Sequence, residues 1–504
     1  MKTKVSKLLA PLLAGMMLLG SLAACGNPEE NPGESGTGTG GQTDAASEGE
    51  TADPAKAALD ALGEIDYGGR ELAVLYDAAF KNEVVGLNET VDAAGGNSQV
   101  INDAVYTRNS MLEDRCNLKF TYIDRDTSSQ VTMVQNEASA PTGDFQLIDA
   151  RFDSTSSLAT NAYLYDLNSL GMNFDAEWWD KGTADFALEG GVYFMSGTLN
   201  IGDDGVTYVL IFNKVMQKTY ANTVPNPYDT VRAWEWTLDH FNEIIQGVSK
   251  ENGDGKWDEL DTYGFITTWE YGNTFFIGSD LRYVINDETV EAPTLYLSES
   301  GRMEKAVNVL ETAQKIYHDN NASYMSPPGE EVKGVTAFKE SRGMFFGEIV
   351  NHLATLNKEM QDAEYGIVPV PKYDKAQEFY RTWSHESGST FSVTSAIPEA
   401  DKEVIGKILE AYAILSHQYL KPAYYDTVLT SRNVKDPDSA EMMDLIFQNR
   451  VCDMGFYFRD LGFYELFKSS VNDENVGFTS AYQTKAKGFD RQITRILRNL
   501  QKKH

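Results

Sequence analysis

Residues 26–58 contain not one aromatic or branched aliphatic side chain, and a segment with so little to bury cannot offset the entropy of ordering itself. Any core must therefore be drawn from residues beyond it. Just before that stretch stand Lys2, Lys4 and Lys7, an apolar run from Leu8 to Gly20, and then Leu22-Ala23-Ala24-Cys25. A basic start, a short apolar run and small residues ahead of a cut mark a secretory signal peptide, and the run is too short for a comfortable membrane span. Residues 1–24 are read as the leader and 25–61 as a disordered tether, which as a flexible coil would span on the order of 30 Å.

The Leu22–Cys25 phrase resembles the bacterial lipoprotein box. That resemblance implies acylation of Cys25 and a mature chain held by lipid at the extracytoplasmic face of the cell membrane. The formal net charge is −32, and losing the leader removes three lysines and no acid. Charge of that sign repels nucleic acid and anionic lipid, so neither is an expected partner of the chain as a whole. A hydrophobic content of 42% with 11% aromatics is enough for a sizeable globular core after the tether. Besides Cys25 there are only Cys116 and Cys452. An exported setting permits a disulfide between them, but their separation leaves buried free thiols as the default.

From Arg70 onward the pattern changes to alternating strand-like and helix-like runs. Glu71–Tyr76 reads as a strand and Gln99–Asn117 as a helix. Leu118–Ile123 alternates as a half-buried strand, Ser129–Ser139 is helical, and Phe145–Ile148 is a third strand. Strand, helix, strand, helix, strand is the order of an α/β domain. A second unit follows Val206–Lys214, with a helix opened near Thr237, a strand at Tyr263–Ile266, a long helix from Met303 to His318, and a strand at Gly343–Glu348. The prolines of Tyr365–Pro371 favour extended backbone, and Lys402–His504 is mostly helical by periodicity.

Several phrases, in this order, are similar to those of the extracellular solute-binding proteins of bacterial ABC importers, the sugar-binding, maltose-binding-like family 1. They are the lipobox, Phe212-Asn213-Lys214, Trp236-Thr237-Leu238, Phe338–Phe346 and Tyr365–Pro371. The resemblance implies an α/β, two-lobe periplasmic-binding-protein-like fold of type II. Lobe one would be 62–207 plus 368–432, and lobe two 208–367 plus 433–504. Crossings would fall near Val206–Leu210, Gly366–Pro371 and Ser431–Pro437. It further implies a monomeric binder, not an enzyme, that closes on a carbohydrate without a cofactor and presents it to ABC permease subunits. Ligand that touches both lobes favours the closed form by its differential affinity.

Sugar recognition needs aromatic faces for the apolar side of a ring and carboxylates or amides for its hydroxyls. Trp269, Tyr271 and Asn273 follow an expected strand end and Trp383, His385 and Glu386 lie just past an expected crossing, so both groups are candidate ligand residues. Glu348 closes another strand, and Asp149 and Arg151 follow the third strand, where open α/β sheets face their ligand crevice. Trp236 and the Trp178-Trp179 pair are assigned to packing. Asn252, Asp254, Asp258 and Asp261 surround a glycine turn in the manner of a calcium loop, but Lys250 stands where the first ligand belongs, which favours a plain acidic turn. The six histidines include no pair three or four residues apart, and no nucleotide or nucleophile motif is present, so metal and cofactor are expected to be none. Two rival readings remain. One is a surface glycoside hydrolase using paired carboxylates such as Glu348 and Asp149. The other is a ligand-sensing lipoprotein that feeds a membrane kinase.

Overall fold

The computed structural model describes residues 54–86, 99–188, 190–286, 290, 292–353, 356, 365–429 and 437–501. The leader, Cys25, the tether as far as residue 53 and the third crossing at 431–436 lie outside the described residues. The last part of the expected tether is helical: Pro54–Ala61 forms a helix whose Leu59 is buried in the core. A single leucine in an alanine-rich run gives that segment something to bury.

Two sheets organise the body. The first has the order β11-β3-β1-β2, built from β1 (Arg70–Asp77), β2 (Leu118–Arg125), β3 (Leu147–Arg151) and β11 (Ser389–Val393). β1 pairs parallel with both β2 and β3, while β11 runs antiparallel to β3. The second has the order β10-β4-β9-β5-β8, from β4 (Tyr208–Asn213), β5 (Tyr263–Thr268), β8 (Ser323–Ser326), β9 (Gly343–Ile349) and β10 (Tyr365–Val368). β6 (Val284–Ile285) and β7 (Thr294–Leu295) form a small hairpin. Strands β4, β5 and β10 are buried at every position, so they read as continuous apolar runs rather than alternating ones. Gly264 in β5 lets the backbone of Ile245 approach: a Cβ there would lie 2.1 Å from the Ile245 carbonyl oxygen.

The local grammar holds. Thr237 caps the helix Leu238–Gln246, its hydroxyl accepting from the His240 amide. The helices Gln99–Cys116, Thr127–Ser139 and Arg302–His318 stand where periodicity places them. Among the described residues no helix is long and apolar enough to cross a membrane. Cys116 and Cys452 are both buried, and no disulfide joins them.

The chain leaves the first sheet through Val206–Tyr208 and comes back beside itself. The amide of Tyr208 donates to the Trp383 carbonyl, that of His385 to the Val206 carbonyl, and the Thr382 hydroxyl to the Tyr208 carbonyl. The return therefore runs through Thr382–Gly388, later than Gly366–Pro371. The segment between stays on the second sheet's side, where Pro369 accepts from the Trp236 indole and Lys372 from the Leu238 amide. Extended prolines mark where a strand ends, but not which sheet the chain then follows. One apolar core continues across both sheets, from Leu75 and Ile148 to Phe265 and Phe345. Phe152 and Phe186 are sealed against Tyr457, with ring centroids 4.8 and 5.1 Å apart.

Candidate ligand site

A cavity of ≈ 750 Å³ is walled by segments distant in sequence: Asp175–Gly182, Gly197–Thr198, Asp204, the helix Lys421–Leu429 and the end of the helix Pro437–Gln448 with Arg450. Its aromatic walls are Trp178, Trp179, Tyr425 and Phe447. Both tryptophans are pinned by one carboxylate, because Glu410 accepts from the Trp178 indole at 2.8 Å and from the Trp179 indole at 3.4 Å. Gly197 packs against this loop so closely that a Cβ would lie 2.4 Å from the Trp178 carbonyl oxygen, and its φ of +155° suits glycine.

The charged wall centres on Arg450. Its guanidinium is 3.0 Å from Asp180, 3.2 Å from Asp203 and 2.7 Å from Asp204, and it also reaches the Thr207 hydroxyl at 3.3 Å. Asp203 is buried and its carboxyl is held well above the ordinary range, first by burial, against which Arg450 works, and then by neighbouring Asp204 and Asp180. Aromatic rings, carboxylates and a fixed guanidinium gathered around one cavity can hold a ring-shaped polyhydroxylated molecule.

None of the nine ligand residues expected from sequence lines this cavity. Asp149 is fully buried within β3, which runs on to Arg151, and neither of its carboxyl oxygens has a hydrogen-bond partner. Burial, with Glu83 and Asp77 nearby, pushes its pKa well above the usual carboxylate range. It is a core residue, not a crevice one. Tyr271, Asn273 and Trp383 are also core residues, their polar atoms already engaged. The Tyr271 hydroxyl donates to the Val209 carbonyl, Asn273 ties the Tyr464 carbonyl to the Lys468 amide, and the Trp383 indole donates to Thr274.

The remaining expected residues, Glu348 apart, fall in a polar network outside the cavity. Arg151 pairs with Asp153 at 3.1 Å, and Glu386 pairs with Arg459. His385 lies 2.8 Å from the Ser387 hydroxyl and 3.2 Å from the Tyr464 hydroxyl, which in turn donates to Glu270 at 2.8 Å. The Lys468 ammonium sits 4.0 Å over the Trp269 ring and 2.8 Å from Glu270. Glu348 faces His352 at 3.0 Å. The Asn252–Asp261 loop spends its oxygens on its own backbone: Asp261 accepts from the amides of Asn252 and Asp258, Asn252 from Asp254, and Asp254 from Lys256. Asp258 likewise accepts from the Leu260 amide. The loop is an acidic turn, and among the described residues no group of three or more metal-binding side chains is gathered anywhere. Sequence reasoning missed Arg450, Lys421, Tyr425 and Asp204. The one local signal is Trp178-Trp179-Asp180, two rings beside an acid; Trp179 is buried in the core and Trp178 packs against it, as expected, while both also line the cavity.

No protein-family profile matches this chain, and no curated protein matches it. Solved structures do. A family 1 extracellular solute-binding protein from Bifidobacterium longum subsp. infantis superposes with a TM-score of 0.54 at 12% identity, over 84% of this chain and 99% of that one. A sugar transporter from Rhizobium etli in an open conformation gives 0.53 at 13%, over 85% and 99%. A cyclic alpha-maltosyl-1,6-maltose binding protein from Arthrobacter globiformis gives 0.53 at 12%, over 85% and 99%. The architecture of this chain, two α/β lobes joined by paired crossings, is thus the fold of the extracellular solute-binding proteins.

Proposed function

We propose that the chain is a lipid-anchored receptor that captures a carbohydrate outside the cell and delivers it to an ABC importer. The observation that carries this reading is the cavity, which gathers Trp178, Tyr425 and Phe447 with Asp180, Asp204 and Arg450 within a solute-binding fold. Its walls are drawn from Asp175–Gly182, Gly197–Thr198 and Lys421–Tyr425, which this reading assigns to lobe one, and from Asp444–Arg450, which it assigns to lobe two. A sugar seated there would touch both lobes and favour their closure. The neighbours named for sugars support an oligosaccharide. The leader and the lipobox at Cys25 support the anchor.

Titrating the mature protein with a panel of neutral oligosaccharides tests this directly. The expected result is a saturable change in tryptophan fluorescence with the sugar recovered intact. Release of shorter sugars would make the protein a hydrolase, and silence across the panel would move the ligand class elsewhere. Incorporation of labelled fatty acid, lost in Cys25→Ser, tests the anchor. Co-purification with a permease from its native membrane tests delivery.

A further inference from the structure

The C-terminal helix Phe478–Gln501 carries charge of the wrong sign for this protein. Against a formal net charge of −32 for the whole chain, it holds Lys485, Lys487, Arg491, Arg495 and Arg498 and the single acid Asp490. All five basic side chains are exposed. Lys487, Arg491, Arg495 and Arg498 follow one another at helical spacing and share one face. From Lys487 to Arg498 the stripe runs about 16 Å along the axis. Only Arg495 among the five has an ion pair among the described residues, a 3.6 Å contact with exposed Asp460. The sequence continues with Lys502 and Lys503.

The opposite face is already committed. Phe478, Tyr482, Phe489, Ile493, Ile496 and Leu500 are buried in the core, so the helix cannot roll over and insert. From residue 483 onward its exposed positions are Gln, Thr, Lys, Asp and Arg, with no exposed apolar side chain among them. A protein interface would want a buried aromatic or aliphatic anchor at its centre. A row of exposed cations, all but Arg495 without an ion pair among the described residues and with no such anchor, fits a broad array of fixed anions instead.

We propose that this basic face docks the folded body on the anionic phospholipid headgroups of the membrane that carries it, by electrostatics alone. The membrane location rests on the anchor proposed above. The acidic remainder of the molecule does not forbid such docking, because charges farther than about 8 Å from the contact are screened at physiological salt. Docking would hold the receptor close to the bilayer when its tether would allow it to stand off.

The test uses mature protein with Cys25→Ser, so that no acyl chain contributes and failure of the anchor is scored separately. Sedimentation is measured with vesicles of phosphatidylcholine alone and of phosphatidylcholine mixed equally with phosphatidylglycerol. The expected result is binding to the mixed vesicles only, abolished by high salt. The triple variant Arg491→Glu, Arg495→Glu, Arg498→Glu should bind them roughly 1000-fold more weakly, or more weakly still. A charge-neutral triple glutamine variant, expected to bind with intermediate strength, guards against misfolding of the reversal. Absence of binding to the mixed vesicles, equal binding to both vesicle types, or undiminished binding by a folded reversal variant would overturn the proposal. Retention by soluble polyglutamate with none by vesicles would overturn it too, and would assign the stripe to an acidic protein.

Discussion

Arg450 stands 2.7 Å from Asp204, joining the segment after the helix Pro437–Gln448 to the turn that enters β4. The same guanidinium reaches Asp180 and Asp203, and both it and its partners are largely buried. Removing one partner of a buried ionic cluster leaves the others uncompensated. Arg450→Ala is expected to destabilise the protein by about 3–5 kcal/mol, read as a drop in the urea midpoint. Arg450→Lys should recover only part of the loss, since an ammonium cannot span three carboxylates in a fixed fork.

The cavity and the polar network make opposite predictions for two tryptophans. Trp178 walls the cavity, whereas Trp269 lies under Lys468 away from it. If the sugar stacks in the cavity, Trp178→Ala weakens binding by about 10-fold or more, and Trp269→Ala leaves it unchanged. Calorimetric titration of the two variants with the same oligosaccharide decides between the sites.

Burial holds the His385 imidazole down to about 4, and Arg151, Arg459 and Lys468 add repulsion. The folded state thus keeps this ring neutral while the unfolded chain protonates it near 6.5. Its contribution to stability is complete above about pH 6.5 and is lost as the pH falls toward 4, to a total of about 3 kcal/mol. His385→Gln should flatten that arm of the stability profile, measured as the urea midpoint across this range.

The two interior thiols should be silent in the folded protein. Burial pushes the Cys116 thiol up to about 11, and Cys452 is buried as well. In a Cys25→Ser background, Ellman's reagent is expected to find no fast-reacting thiol in buffer and two after denaturation. A reductant should leave the melting temperature unchanged, because no bridge joins them.

The α/β class, the strands β1, β2, β5 and β9, the long helices and the Thr237 cap were all legible in the sequence. Each depends on side-chain period or on a hydroxyl three residues from the amide it caps, and such interactions act between near neighbours. Periodicity also misled at Asp149. It placed the end of the third strand at residue 148, but pairing with β11 extends β3 to Arg151 and carries Asp149 into the core.

The site was decided by the tertiary structure. Arg450 carries no local mark, and it becomes the floor of a cavity only because the chain crossings bring it against Asp180 and Asp204 from more than two hundred positions away. Trp178 and Trp179 acquire their orientation from Glu410, equally remote. A sequence by itself reports which residues can bury a face of a helix or strand. Which faces then meet, and what space they leave between them, follows from how the crossings return the chain, and no short-range pattern encodes that.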